Sequence, residues 1–190
     1  MNHVDMEQYK KDPKIRGRSI LVDVLWNIVQ YLFVSSFQPS SSLRIFLLRM
    51  FGAKIGKGVV IKPYTRIKFP WKLQVGDHSW IGESVWIDNL DTVTIGNHCC
   101  LSQLVYVCTG DHDWKSPSFA LRHEPVNIED EVWLCARSTV APGITIGEGA
   151  VMAIGSVATH DLDAWMIHTG NPAHPIRRRK VEDQGMVNRE

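Results

Sequence analysis

The sequence lacks a strong charge of either sign and has few cysteines. Its 21 lysine and arginine residues face 20 acidic ones, so the formal net charge of +1 gives no global field to attract nucleic acid. The cysteines form neither a CxxC pair nor a Cys/His zinc pattern; they are Cys99, Cys100, Cys108 and Cys135. Reduced thiols in the cytoplasm are the simplest interpretation. With 44% hydrophobic and 22% charged residues, the 190-residue chain is predicted to be one globular domain with a modest appendage.

A long uninterrupted apolar run is also missing. The most apolar stretch, residues 19–37, follows a polar and charged segment that does not resemble a signal peptide. Asp23, Asn27 and Gln30 recur at spacings of four and three, which puts them on one helical face. A spanning helix needs ~20 apolar residues with few or no charges. We therefore expect a helix packed on the body or on a neighbouring subunit, with shallow attachment to the membrane surface as the alternative.

Aliphatic residues recur every six positions from residue 55 onward. Fifteen of them form five groups of three, and the first two gaps between groups are eight residues instead of six. They are Ile55, Ile61, Ile67, Val75, Ile81, Ile87, Ile95, Leu101, Val107, Ile128, Leu134, Val140, Ile146, Met152 and Ala158. A hexapeptide period is typical of a parallel β-helix, and fifteen positions in phase disfavour a β-sandwich with chance spacing.

A second series of small or β-branched residues runs two positions ahead of the first. It comprises Val59, Thr65, Ser79, Val85, Val93, Cys99, Val105, Val126, Val132, Ser138, Ile144, Ala150 and Ser156. Residues two apart share one face of a strand, so each unit is predicted to be a short strand with two inward side chains. Glycines that directly follow an aliphatic position, such as Gly76 and Gly82, predict corners with positive φ. Three strands and three corners make one triangular coil, and we expect an all-β prism of about five stacked coils.

The stretch CTGDHDWKSPSFALRHEP, residues 108–125, interrupts the period. The gap between groups is twenty-one residues here, fifteen more than the period requires. A prism of stacked coils buries its interior and has no deep cavity of its own, so a ligand site needs a loop or another subunit. We expect an insertion at about 109–126 to wall a site against a neighbouring copy.

Several motifs resemble the hexapeptide-repeat acyltransferases. IGESVW, IGNHCC and IGEGAV match the repeat, and FGAKIGKGVVI, CTGDHDW, EVWLCARSTVAPGITIGEGAV and GNPAHPIRRR are similar to colanic-acid-type polysaccharide O-acetyltransferases. Galactoside and nodulation-factor acetyltransferases are also similar. The resemblance implies a left-handed β-helix, a homotrimer with sites between subunits, acetyl-CoA as donor, no metal, and a saccharide or lipid-linked saccharide acceptor. We divide the chain into an N-terminal extension (1–50), the β-helix domain (51–176) and a basic C-terminal tail (177–190).

The resemblance also assigns site residues on the acceptor side. His112, in TGDHD, matches the family's catalytic histidine, and a histidine is suited to removing a hydroxyl proton near neutral pH. Asp113 is expected to orient the imidazole or contact the acceptor, and His123 to be structural or acceptor-facing. The other acceptor-side candidates are Asp88, Asn89 and Trp114; turn chemistry is the alternative for the first two, and apolar cover for Trp114.

The coils after the loop match the family's donor track. The N–H of Ala136 matches the group that faces the thioester carbonyl, and Trp133 is expected to flank the thioester arm. The remaining donor-side candidates are Ile154, Gly155 and Thr159 for pantetheine, and Arg177 and Arg178 for the phosphates of coenzyme A. Relatives usually have alanine at position 154 and a basic residue in place of His160, which is a departure from the family pattern.

Three alternatives remain open from the sequence. A zinc enzyme resembling the γ-class carbonic anhydrases needs three converging histidines, for which the candidates are His78, His98, His112 and His123. A non-catalytic β-helix scaffold explains the repeats but not the histidine-bearing insertion. An acyl carrier protein as donor keeps the chemistry and changes the partner.

Overall fold

A computed structural model describes residues 3–10 and 13–182. Residues 54–178 form a left-handed parallel β-helix, which confirms the predicted fold class. Its three sheets run along a triangular prism. Sheet 1 contains β1 (Lys54–Ile55), β4 (Leu73–Val75), β7 (Val93–Ile95), β12 (Val126–Ile128) and β15 (Thr145–Ile146). Sheet 2 contains β2 (Val60–Ile61), β5 (Trp80–Ile81), β8 (Cys100–Leu101), β13 (Trp133–Leu134), β16 (Val151–Met152), β18 (Met166–Thr169) and β19 (His174–Arg178). Sheet 3 contains β3 (Arg66–Ile67), β6 (Trp86–Asp88), β9 (Tyr106–Cys108), β14 (Thr139–Val140) and β17 (Val157–Ala158).

The core of the prism follows the six-residue period. All fifteen aliphatic positions and all thirteen positions of the second series are buried. Polar members of the second series bond the backbone of a neighbouring coil, as the Ser79 hydroxyl does when it donates to the Gly96 carbonyl at 2.7 Å. The predicted strand geometry, with two inward side chains in each unit, is therefore confirmed.

The coil number was predicted one too low. After five complete coils the chain continues into an incomplete sixth, in which Leu162 bridges Ile146 and β18 pairs with β16. The terminal strand β19 then runs back antiparallel to β18. This sixth turn lacks the regular hexapeptide spacing, which is why periodicity alone did not reveal it. Arg177 and Arg178, predicted to begin the basic tail, belong to β19, and residues 183–190 of that tail lie outside the described residues.

The predicted positive φ at the corner glycines is wrong. Gly76 and Gly82 have ordinary φ, whereas His78 (φ 57°) and Ser84 (φ 57°), two residues further on, are left-handed. The glycines are needed for a different reason, which is the close approach of stacked coils. A Cβ on Gly82 would lie 2.7 Å from the carbonyl oxygen of Leu101 in the next coil.

The N-terminal extension covers the edge strands of the first coil. It contains short 3₁₀ turns at Met6–Gln8 and Pro13–Arg16, helix α1 (Ile20–Val29), a π-helical turn (Gln30–Val34) and helix α2 (Ser41–Met50). The Trp26 indole donates to the Ile67 carbonyl at 2.9 Å, and the Gln30 amide oxygen accepts from the Ile67 N–H at 2.6 Å. These bonds satisfy the edge of sheet 3, which would otherwise expose unpaired backbone groups.

Buried Arg44 fastens the turn between the two helices. Its guanidinium donates to the carbonyls of Val34, Ser36 and Gln38, and burial lowers its pKa. In the described part of the chain, no helix is long and apolar enough to cross a membrane.

Candidate active site

The insertion predicted at about 109–126 forms a β-hairpin at the corner between sheets 3 and 1. Strand β10 (Gly110–His112) pairs antiparallel with β11 (Leu121–His123), and His112 lies opposite Leu121. Buried Thr109 anchors the hairpin, because its hydroxyl accepts from the Asp91 N–H at 2.9 Å and its own carbonyl accepts from Glu124. The regular coils on either side therefore hold the base of the hairpin in place.

Half-buried His112 is fixed in one tautomer by its neighbours. Its Nδ1 lies 2.8 Å from the carbonyl oxygen of Phe119, and since a carbonyl only accepts, Nδ1 carries the proton. The other ring nitrogen, Nε2, is then the basic one. The Phe119 ring stacks on the imidazole at 4.4 Å, and the Tyr9 ring lies tilted at 5.6 Å.

His112 lines a cavity of about 660 Å³ between the prism, the hairpin and the N-terminal extension. The residues of the extension in its wall were missed by the sequence analysis; they are Tyr9, Pro13, Ile15, Arg16, Asp23 and Asn27. A signal was present, because Asp23 and Asn27 belong to the polar face recognised on α1. The mixture of carboxylate, amide and cationic groups suits a ligand with several hydroxyls.

Asp88, which the resemblance assigned to the acceptor side, lines the same cavity and is held from two sides. Lys68 Nζ donates to its carboxylate at 2.9 Å, and the Tyr106 hydroxyl donates at 3.3 Å. Burial raises the pKa of Tyr106, and the neighbouring Cys108 and Asp88 raise it further, so the phenol remains a donor. The carboxylate is thus fixed with its charge on the cavity wall.

Asn89 does not reach the cavity, which contradicts its predicted role as an acceptor contact. Its side chain is 0% exposed, donates to the Phe69 carbonyl at 2.7 Å and accepts from the Phe69 N–H at 2.9 Å. The side-chain amide of Asn89 therefore replaces a pair of backbone hydrogen bonds between adjacent coils. The alternative of turn chemistry describes this residue better.

The remaining hairpin candidates lie outside the cavity wall. Trp114 is 69% exposed with Lys115 Nζ 5.1 Å from its ring centre, and Asp113 accepts from the Lys115 N–H at 3.1 Å. His123 pairs with Asp91, with Nδ1 2.7 Å from the carboxylate, which is the structural role considered for it. The chain alone brings together only His112 and Asp88 from the acceptor side.

The donor-side candidates lie mainly at another corner, between sheets 2 and 3. Ala136 and Gly155 stack there, one coil apart, through a 3.0 Å bond from the Gly155 N–H to the Ala136 carbonyl. Ile154 is 71% exposed, and nothing lies within 4 Å of a Cβ built on Gly155, so this corner leaves room for an extended chain. The indole of partly exposed Trp133 donates to Ser102 Oγ at 3.0 Å. Thr159 follows β17 at the corner with sheet 1 instead, and Arg177 and Arg178 lie exposed on β19 of sheet 2.

The described residues contain no group of three or more side chains that could hold a metal ion. His78 and His98 fall one coil apart, as their spacing predicted, and their rings stack at 5.3 Å. His112 and His123 lie on the hairpin at the corner between sheets 3 and 1, with His112 bonded to Phe119 and His123 to Asp91. The four candidate histidines do not converge within one chain.

Comparison with curated proteins identifies the family. WcaF of Escherichia coli K12, provisionally named a colanic acid biosynthesis acetyltransferase, is 44% identical over 163 residues, which cover 86% of this chain and 90% of WcaF. The chain belongs to the hexapeptide-repeat acetyltransferases. The galactoside O-acetyltransferase of E. coli K12 is 22% identical over 95% of this chain and 86% of its own length. A scan against protein-family models found no match.

Solved structures of hexapeptide-repeat acetyltransferases share the fold. One from Vibrio cholerae, solved with acetyl coenzyme A, gives a TM-score of 0.79 at 23% identity and covers 93% of this chain and 96% of its own. A maltose O-acetyltransferase from Clostridium difficile gives a TM-score of 0.79 at 22% identity, with coverage of 95% and 100%. At this level of identity the agreement concerns the fold.

The two halves of the candidate site in this acetyltransferase are separated by a face of the prism. His112 and Asp88 lie where sheet 3 meets sheet 1, whereas Ala136 and Gly155 lie where sheet 2 meets sheet 3. Sheet 3 runs between these corners and its inward side chains fill the interior. Within one chain, the predicted acceptor-side and donor-side groups therefore lie at different corners of the prism.

Proposed function

We propose that this acetyltransferase transfers the acetyl group of acetyl-CoA to a hydroxyl of a saccharide or lipid-linked saccharide during surface polysaccharide synthesis in the cytoplasm. The named relatives support the donor and the acceptor class, since one is solved with acetyl coenzyme A and others are named for polysaccharide biosynthesis or galactosides. The polar cavity around His112 and Asp88 is suited to a sugar.

His112 acts as the general base in this proposal. The observation that carries it is the bond from Nδ1 to the Phe119 carbonyl, which puts the lone pair of the neutral imidazole on Nε2, in a side chain that lines the cavity. Nε2 takes the proton of the acceptor hydroxyl while the oxygen attacks the thioester carbonyl. The oxyanion then collapses, the C–S bond breaks, and the proton passes to the leaving thiolate. The transfer is direct and gives an ester and free coenzyme A.

The donor side stabilises the oxyanion and holds the coenzyme. The Ala136 N–H donates to the developing negative charge, while Trp133 flanks the thioester and Ile154 and Gly155 border the pantetheine arm. Thr159 lies at the next corner and is not part of this track. Arg177 and Arg178 meet the phosphates. We propose a homotrimer in which this track faces the hairpin of the neighbouring subunit, because the two groups occupy different corners of one chain.

The first experiment is calorimetric titration of acetyl-CoA into the protein, followed by measurement of thiol release with a saccharide acceptor panel. Saturable binding near one site per chain supports the donor assignment. No binding up to millimolar donor contradicts it and favours a carrier-protein donor.

The base is tested by a pair of variants. His112→Asn keeps an N–H that can reach the Phe119 carbonyl but has no basic nitrogen, so we expect a rate loss of about 10²- to 10⁴-fold with unchanged acetyl-CoA affinity. Phe119→Leu serves as the control, because it removes the stacked ring and retains the backbone carbonyl. Full activity of His112→Asn would show that His112 only supports the loop.

A further inference from the structure

Helix α1 and the turn after it leave most of their large apolar side chains exposed. Their polar side chains face the protein: Asp23 pairs with Arg16 at 2.8 Å, and Gln30 accepts from the backbone of Ile67. Helices on the surface of soluble proteins turn their apolar face inward and their polar face to water. Trp26 and Val34 are buried against the body, and Asp23 and Gln30 share that contact, while most of the apolar side chains are left outside.

The outward side of this segment is a continuous apolar surface. Nine large hydrophobic side chains are exposed on it: Ile20, Leu21, Val24, Leu25, Ile28, Tyr31, Leu32, Phe33 and Phe37. Leu21, Tyr31 and Phe37 are 77%, 79% and 80% exposed. Scattered exposed hydrophobic residues are ordinary, but a contiguous set of this size marks an interaction surface.

The charge around this apolar surface is strongly positive. Residues 13–72, which form the helices and the start of the prism, carry eleven lysine and arginine side chains and a single acid, Asp23. Ten basic residues face nineteen acidic ones in the rest of the chain. Eight of the eleven cations are exposed; they are Lys14, Arg18, Arg49, Lys54, Lys57, Lys62, Arg66 and Lys68.

We propose that the outward face of α1 and the turn Gln30–Val34 docks on a lipid bilayer surface that contains anionic lipid. Apolar side chains on an interfacial helix insert at the level of the headgroups, and nearby lysine and arginine residues are attracted to anionic headgroups. Both features occur at the same end of this molecule. A second copy of the chain fits this face less well, because two such basic ends would repel each other.

Docking at this face also explains the position of the cavity. Asp23 and Asn27, on the inner side of the same helix, line the His112 cavity. The site then lies one helix away from the lipid, within reach of the headgroup of a lipid-linked saccharide. This link to the acceptor rests on the proposed function, whereas the docking itself does not.

The test is flotation of the full-length protein with vesicles, in the absence of acetyl-CoA and acceptor. We expect binding to vesicles of phosphatidylcholine with phosphatidylglycerol to exceed binding to pure phosphatidylcholine by at least about tenfold at low salt, and to fall as salt is added. Leu21→Gln with Leu25→Gln keeps the charge and the helix propensity, and should weaken binding by at least about tenfold. The matched control is Ile176→Gln with Val181→Gln, two exposed residues remote from α1, which should bind as the wild type does.

Two outcomes would overturn the proposal. One is the absence of flotation with anionic vesicles, or equal flotation of the Leu21→Gln, Leu25→Gln variant. The other is a smaller oligomer mass for that variant than for the wild type, measured by light scattering, which would show that the face is a subunit interface. Circular dichroism confirms that the variant is folded. Because no substrate is present, failure of this test leaves the acetyl-transfer assays unaffected.

Discussion

Mixing two inactive variants tests whether the site is shared between subunits. His112→Asn removes the base at the corner between sheets 3 and 1. Gly155→Trp fills the open space at the corner between sheets 2 and 3, where nothing lies within 4 Å of the added Cβ. Gly155 has φ +69°, so the tryptophan adds strain of about 1–2 kcal/mol, which a domain of ordinary stability tolerates. Each variant alone is expected to be folded and inactive.

The expected activity of the mixture follows from geometry. In a closed ring, each site takes His112 from one subunit and Gly155 from its neighbour. A working site therefore forms only where a Gly155→Trp chain supplies the intact His112 and the neighbouring His112→Asn chain supplies the intact Gly155. With equal amounts and random assembly this occurs at roughly one quarter of the sites, in a trimer or in any other closed ring. If one chain supplied both residues, no working site would form.

The assay is acetyl transfer by co-expressed variants, with the ratio of the two chains measured by mass spectrometry. Recovery of about a quarter of wild-type activity supports the shared site. Activity no higher than that of the separate variants, in a sample shown to contain mixed oligomers, would refute the inference drawn from the two corners.

Three further predictions concern stability and reactivity. Asn89→Ala should lower the free energy of unfolding by about 1–3 kcal/mol, because it leaves the buried N–H of Phe69 without a partner, whereas the Phe69 carbonyl still accepts from the Lys72 N–H. Exposed Asn127→Ala is the control in urea unfolding at one protein concentration, and equal stability of the two variants would contradict the structural role. Burial alone would raise the pKa of Asp91, but the bond from His123, the Thr92 N–H and Lys72 lower it overall. The stability that Asp91 contributes is then present above the ordinary carboxyl pKa and lost as pH falls below it, so Asp91→Asn should flatten the acid limb of a thermal-melting profile. Burial raises the pKa of Cys99 to about 11, so this thiol should resist iodoacetamide at pH 8 until the protein unfolds, as followed by mass spectrometry.

The prism could be predicted because its pattern of inward side chains repeats every six residues. Each strand must present two side chains to a narrow interior, so residues such as Val59 and Ile61 carry the pattern without help from distant parts of the chain. The corner glycines could be found but not explained, because the collision that requires Gly82 involves Leu101, nineteen residues later. The incomplete sixth turn could not be found at all from spacing.

The site was predicted less completely than the fold, since its parts come from segments without a period. His112 and Asp88 were assigned to the acceptor side by resemblance and both line the cavity, but the amide of Asn89 faces the neighbouring coil, which a local turn preference cannot reveal. The contribution of Tyr9 and Arg16 to the cavity depends on how the N-terminal extension folds back over the prism. No regular spacing in the sequence predicts the contact between the extension and the prism.

The total charge of +1 concealed the most distinctive electrostatic feature of the chain. A solenoid stacks its coils in sequence order, so position in the sequence becomes height along the axis. Charges separated along the chain are therefore separated in space, which is not so in a fold whose distant segments interleave. Residues 13–72 carry eleven cations and one acid, whereas residues 73–180 carry seven cations and thirteen acids, so the helices and first coil form a basic end and the later coils are acidic. For a repeat protein of this kind, the net charge should be counted separately for each group of coils. The net charge of the whole chain hides the local positive charge that an anionic surface would meet.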